Sequence, residues 1–208
     1  MKISKPKIRI YEEIDLDKCD LEENICNKEI EKVNGKIKIS NITIDSCIIK
    51  NINFQDISLE NVDLIDTIFE NCDLSNKSFD EQFMTRVEFN NCKLSGLSLI
   101  DATLKDVSII DSNLNFSNLT MTNINNLLIK NTDMRESFIR ECNIKNIELD
   151  KVNFYNAEFL RTNLSDVNFT KCDISGIKID NYSMKNIIIN SFQCRDIIGI
   201  LGVKVVDE

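Results

Sequence analysis

Any chemistry in this chain would have to come from eight cysteines and a dense population of carboxylates, because there is no histidine. Thiolates serve as nucleophiles or soft metal ligands, and paired carboxylates as acid–base couples. A tetrahedral metal site draws closely spaced Cys pairs, and Cys19, Cys26, Cys47, Cys72, Cys92, Cys142, Cys172 and Cys194 have no such spacing. No serine stands beside an evident base and no glycine-rich phosphate loop occurs. Acid pairs such as Asp63 with Asp66 recur along the whole chain, as solvated, turn-rich sides do. These residues point to no catalytic, cofactor or metal site, and so away from an enzyme.

The cysteines are better explained by their register. From Ile39 to Ile189 every fifth residue is Ile, Leu, Phe or Met, and the residue two before each is usually small. Cys47, Cys72, Cys92, Cys142 and Cys172 occupy that small position, and Cys194 falls at a large one. A period of five is neither the 3.6 of a helix nor the two of a flat strand. It suits an extended side followed by a corner, repeated. On such a side alternate residues face opposite ways, so the large centre and the small residue before it point inward as reduced core side chains. Residues flanking the centre face water, and the fifth takes the corner, where Asn41, Ser46, Asn51, Asp56, Asn61, Asp66 and their successors are types that tolerate turn dihedrals. Four sides close a coil of about twenty residues, and coils about 4.8 Å apart build a solenoid. Cys72 and Cys92 then stack one coil apart.

The pattern, with steps such as Cys72-Asp73-Leu74 and Thr162-Asn163-Leu164, resembles the pentapeptide-repeat family. That resemblance implies an all-β fold, a right-handed quadrilateral β-helix over residues 37–193. Residues 1–36 form an N-terminal cap and partial first coil, with a strand-like Lys7–Tyr11, two repeats at Ile14–Leu16 and Cys19–Leu21, and a type I′ turn at Asn34-Gly35. Residues 194–208 form a short helix and a strand-like tail. The repeat at Asp80-Glu81-Gln82-Phe83-Met84 is the least regular, because Gln82 is large and polar at a small inward position. It predicts either a small loop over 80–87, with Asp80, Glu81, Phe83 and Arg86 as candidate partner contacts, or a distorted side.

Near the C-terminus, Gly176-Ile177-Lys178-Ile179-Asp180-Asn181-Tyr182 and Leu201-Gly202-Val203 resemble the terminal coil and tail of the Qnr quinolone-resistance proteins. The resemblance implies a homodimer through the tail, with Ile197, Ile198, Ile200, Leu201, Val203 and Val205 as its apolar contacts. It also implies a partner, DNA gyrase or topoisomerase IV, protected from fluoroquinolones. The formal charge of −9 and the lack of a basic stripe disfavour direct nucleic-acid binding. An acidic rod can instead present carboxylates where DNA presents phosphates. A scaffold with a partner unrelated to DNA is the alternative. No apolar run approaches membrane-spanning length, Lys2, Lys5, Lys7 and Arg9 interrupt any leader-like segment, and a cytoplasmic location is expected.

Overall fold

The computed structural model describes residues 2–204 and 206, and it is a quadrilateral β-helix of about eight turns closed by one short helix, Cys194–Ile200. All strand pairing is parallel. The strands Ile37–Asp45, Ile57–Glu70, Phe83–Asn90, Thr103–Ile110 and Asn123–Lys130 stack in that order, with Phe69 beside Phe89, Phe89 beside Ile109 and Ile109 beside Ile129. Partners twenty residues apart are what the five-residue period demands of a four-sided coil.

The core is the inside of the coil. Among the centres from Ile39 to Ile189 all are buried except Leu59, Ile144, Met184 and Ile189, which are half-buried. Every small residue the repeat aims inward, from Cys47 to Cys172, is buried. Phenylalanines pack on one another within it: Phe69 stacks on Phe89 with ring centroids 5.0 Å apart and planes at 10°, and Phe154, Phe159 and Phe169 meet edge to face.

Corners explain the Asn and Asp bias in two ways. Asn51, Asn71, Asn91, Asp111 and Asn131 hold the left-handed backbone, which short polar side chains adopt at least cost. Their amides also bond along the axis, Asn91 Nδ2 donating to Asn71 Oδ1 at 2.7 Å and Asn131 Nδ2 to Asp111 Oδ1 at 2.8 Å. Gly96 has a stricter reason. Its φ is +67°, and a Cβ there would overlap Asn76 Oδ1 in the coil below. Gly96→Ala is expected to lower stability by about 1–2 kcal/mol, measured by thermal unfolding.

The N-terminal region departs from the sequence expectations. Asn34-Gly35 makes no hairpin: only Gly35 has a positive φ, whereas a type I′ turn needs two in succession. The segments flanking it belong to successive sides, Lys28–Ile30 pairing with Ile48–Lys50, and Ile37–Asp45 with Ile57–Glu70. The change of register is absorbed by short coils, Ile25 pairing with Ile44 and Glu12 with Lys28. Leu16, buried as a repeat centre would be, sits in a 3₁₀ turn at Leu16–Lys18.

Lys7–Tyr11 is no sheet strand either. Residues 2–11 are extended but outside the ladder, and they run along the rod axis as a strap over one corner. Tyr11 N donates to Asn27 O at 3.0 Å, Lys7 N to Asp66 Oδ1 at 2.8 Å and Ser4 N to Asp106 Oδ1 at 3.3 Å. Asp66 and Asp106 lie two coils apart, about 10 Å, which is the reach of three extended residues. The alternation read as a strand is real as burial, Ile8 and Ile10 half-buried and Lys7 and Arg9 exposed. It arises because an extended strap lays one face on the rod.

Candidate partner-binding surfaces

Residues 80–87 are not a loop. Phe83–Asn90 is an ordinary strand, with Phe83 opposite Thr103 and Met84 opposite Leu104. Gln82 is accommodated by folding back, its Nε2 donating to Asp80 O at 2.9 Å. Of the four residues proposed there, two serve the rod itself. Asp80 Oδ1 accepts from Ser98 Oγ at 2.5 Å and from Ile100 N at 2.8 Å. Arg86 clasps Asp66 through Nε and Nη2 at 2.5 and 2.6 Å. Glu81 sits at a left-handed corner with φ of 62° and faces solvent, and Phe83 is 56% exposed. The region therefore offers a partner one aromatic ring and one carboxylate on a rigid side. Phe83→Ala should leave stability within about 0.5 kcal/mol in a denaturant titration, which separates any effect on binding from one on folding.

The C-terminal end is the other candidate. Ile197 packs against the rod's own core and Ile198 is half-buried. Ile197 thus covers the last coil from within its own chain. Ile200, Leu201 and Val203 are exposed, and Val205 lies outside the described residues. Lys204 and Val206 join no strand. Cys194, expected at an inward centre, is exposed at the start of the helix. The inward place is taken one residue earlier: buried Gln193 donates from Nε2 to Phe169 O at 2.9 Å and to Cys172 O at 2.7 Å, sealing carbonyls that the ladder leaves open. Sequence reasoning missed Phe192, the most exposed large apolar side chain among the described residues at 88%. Its signal was a phenylalanine out of the inward register next to the tail.

The buried cysteines are structural donors. The thiols of Cys47, Cys72, Cys92 and Cys142 each point at two carbonyls, one in their own coil and one in the coil below: Cys72 Sγ lies 3.4 Å from both Glu70 O and Ile49 O, and Cys47 Sγ 3.2 Å from Asp45 O and 3.4 Å from Ile25 O. Thr67 uses its hydroxyl in the same way on Ile65 O and Ile44 O, which is why Cys, Thr and Ser interchange at this position. All eight cysteines are free. Burial pushes the thiols of Cys47 and Cys172 up to about 11 and that of Cys142 up to about 12. A thiol reagent at neutral pH is expected to modify Cys194 rapidly and Cys47, Cys72, Cys92, Cys142 and Cys172 only on unfolding, read by mass spectrometry.

Ion pairs also run along the axis. Glu158 takes Arg140 from the coil below and Lys178 from the coil above. These cations and the burial of the carboxylate oppose one another, and Glu158 is held below the ordinary carboxylate range by Lys178 and Arg140 together. Arg140 also lies over the Phe138 ring, 4.6 Å from its centroid. A cleft of about 600 Å³ follows Asn51, Asn71, Asn91, Asp111 and Asn131, but amides there are bonded to one another up the ladder. Among the described residues no group of three or more Cys, Asp or Glu could hold a metal, and no helix is long and apolar enough to cross a membrane.

Comparison with known proteins bears on the fold. Residues 82–159 match the family described as pentapeptide repeat region, and residues 40–76 and 147–181 match pentapeptide repeats (8 copies). The search of curated proteins finds no match. Among solved structures, full-length QnrB1, a plasmid-mediated fluoroquinolone resistance protein, is 17% identical over 94% of this chain and 97% of its own, with a TM-score of 0.43. HetL, a pentapeptide-repeat protein involved in heterocyst differentiation regulation from the cyanobacterium Nostoc sp. strain PCC 7120, is 16% identical over 88% of this chain and 90% of its own, with a TM-score of 0.45. A thylakoid-lumen pentapeptide-repeat protein of Arabidopsis thaliana is 14% identical over 61% and 73%, with a TM-score of 0.32. With the five-residue register, the four-sided coil and the matched repeats all on one chain, the protein belongs to the pentapeptide-repeat family.

Proposed function

We propose that this protein is a dimeric acidic rod that mimics DNA, binding DNA gyrase or topoisomerase IV in the cytoplasm and shielding it from fluoroquinolones or related poisons. The observation that carries this reading is the combination, in one molecule, of an acidic solenoid with an exposed apolar end. About eight turns at about 4.8 Å give a rod of roughly 38 Å, and two copies joined end to end span roughly 76 Å, the length of about 22 base pairs of duplex DNA at about 3.4 Å each. A net charge of −9 spread over that length attracts a positively charged groove and speeds encounter. Duplex DNA carries one charge per about 1.7 Å, so the rod is the weaker polyanion and its binding must be sensitive to salt. The apolar residues Phe192, Leu201 and Val203 are the groups to be covered in the dimer. The Gly176–Tyr182 run supports the gyrase reading through its resemblance to Qnr sequences.

The test is competition. Purified gyrase should be retained by the immobilised protein at low salt, released as salt rises, and displaced by linear duplex DNA. Retention that duplex DNA does not disturb would reject mimicry, and no retention would favour a scaffold with an unrelated partner.

A further inference from the structure

The N-terminal strap is a peptide already bound to the rod, and its chemistry describes a site. Its inner face is Ile3, Pro6, Ile8 and Ile10, all half-buried, and its outer face carries Lys2, Lys5, Lys7 and Arg9. The corner beneath it is acidic: Asp66 is 6% exposed and Asp106 7%, each accepting a strap backbone N–H through Oδ1. Between them stands Arg86, pinned to Asp66, and Asp45 adds a further negative charge acting on that guanidinium. The strap is held by three backbone hydrogen bonds and no ladder, a small fraction of the bonding that holds any coil.

This corner also differs from two of the others. At Phe79–Gln82 and Leu94–Leu97 the corner is closed by its own turn hydrogen bond, Gln82 N to Phe79 O and Leu97 N to Leu94 O. At Asp66, Arg86 and Asp106 the chain bends in the middle of a strand at a left-handed residue. Side-chain carboxylates there can be aimed outward at axial spacing, in register with N–H groups three residues apart on a peptide lying along the rod, as those of Ser4 and Lys7 are. Removing the four strap cations leaves 21 basic against 34 acidic residues, a net charge of −13, so the strap masks part of the rod's acidity.

We propose that the Asp66–Arg86–Asp106 corner is a recognition groove for an extended basic segment of a partner protein, one in which apolar and cationic residues alternate, and that the N-terminal strap occupies this groove in cis until displaced. The carboxylates would hold the backbone of the incoming segment and the flanking apolar surface its alternate side chains. This does not depend on whether the rod's partner is a topoisomerase.

The full chain is the test object. A fluorescent peptide with the sequence of residues 2–11 is titrated, by anisotropy, against the wild-type chain, against a chain with Ile8→Asp and Ile10→Asp to release the strap, and against that released chain also carrying Asp66→Ala and Asp106→Ala, which remove the acceptor oxygens. Circular dichroism verifies the fold of each. A strap tethered at an effective concentration of about 1 mM should weaken a peptide of roughly 100 µM affinity about tenfold. The released chain is therefore expected to bind about tenfold more tightly than wild type, and the chain with both alanine substitutions to lose that binding. Hydrogen exchange at the Lys7 amide should be slow in wild type and fast in the released chain. Equal binding by wild-type and released chains, no binding by a folded released chain at about 1 mM peptide, or binding that survives both alanine substitutions would overturn the proposal. Dimers that form only with an intact strap would overturn it in favour of strap exchange between copies.

Discussion

Replacing Phe89 with alanine is expected to destabilise the rod by about 3–5 kcal/mol. Phe89 is 1% exposed and stacks on Phe69, while its backbone is tied on both sides, to Phe69 below and Ile109 above. Neighbouring coils cannot collapse into the gap without shearing those ladders, so the site relaxes little and the cavity term stays large. For a chain of this size the loss corresponds to a fall in Tm of about 6–20 °C, read by circular dichroism. Phe83, an exposed ring only six residues earlier, should show almost none of this. A loss below roughly 1 kcal/mol at Phe89 would contradict a close-packed stacked core.

The second large effect lies at the other end. Deleting residues 195–208 is expected to produce aggregates rather than clean monomers, because the helix that it removes places Ile197 on the core and covers a coil end with open strand edges. The proposed dimer needs a gentler probe. Leu201→Asp with Val203→Asp alters exposed residues beyond the helix and leaves Gln193 and Ile197 in place. The paired variant should elute as a folded particle of half the wild-type mass in light scattering. A variant that keeps the wild-type mass would place the interface elsewhere or remove it.

Much of this architecture is legible from residue types alone, for a physical reason. A five-residue side must put one large and one small group inward, and that requirement is repeated often enough that single exceptions, such as Gln82, cannot hide it. The same regularity decides between the two readings of 80–87. A long polar side chain at an inward position allowed either a loop or a distorted side, and Gln82 bonds to Asp80 O and lets the coil continue in register. Local alternation misled at Lys7–Tyr11 because half-burial against a rod corner and half-burial in a sheet leave the same pattern. The strap is invisible in sequence: its anchors, Asp66 and Asp106, lie 59 and 102 residues from the amides they accept. At the C-terminal end the apolar character was readable, but the division between Ile197, which caps its own coil, and Leu201, which faces out, depends on where the helix begins.

The most direct measurement is supercoiling by purified gyrase in the presence of ciprofloxacin, titrated with the wild-type chain and with the Leu201→Asp, Val203→Asp variant. A protective, dimeric DNA mimic predicts that supercoiling returns as wild-type protein is added and that the variant restores far less at equal concentration. Inhibition without recovery, or no effect from a folded dimeric preparation at any concentration, would contradict it.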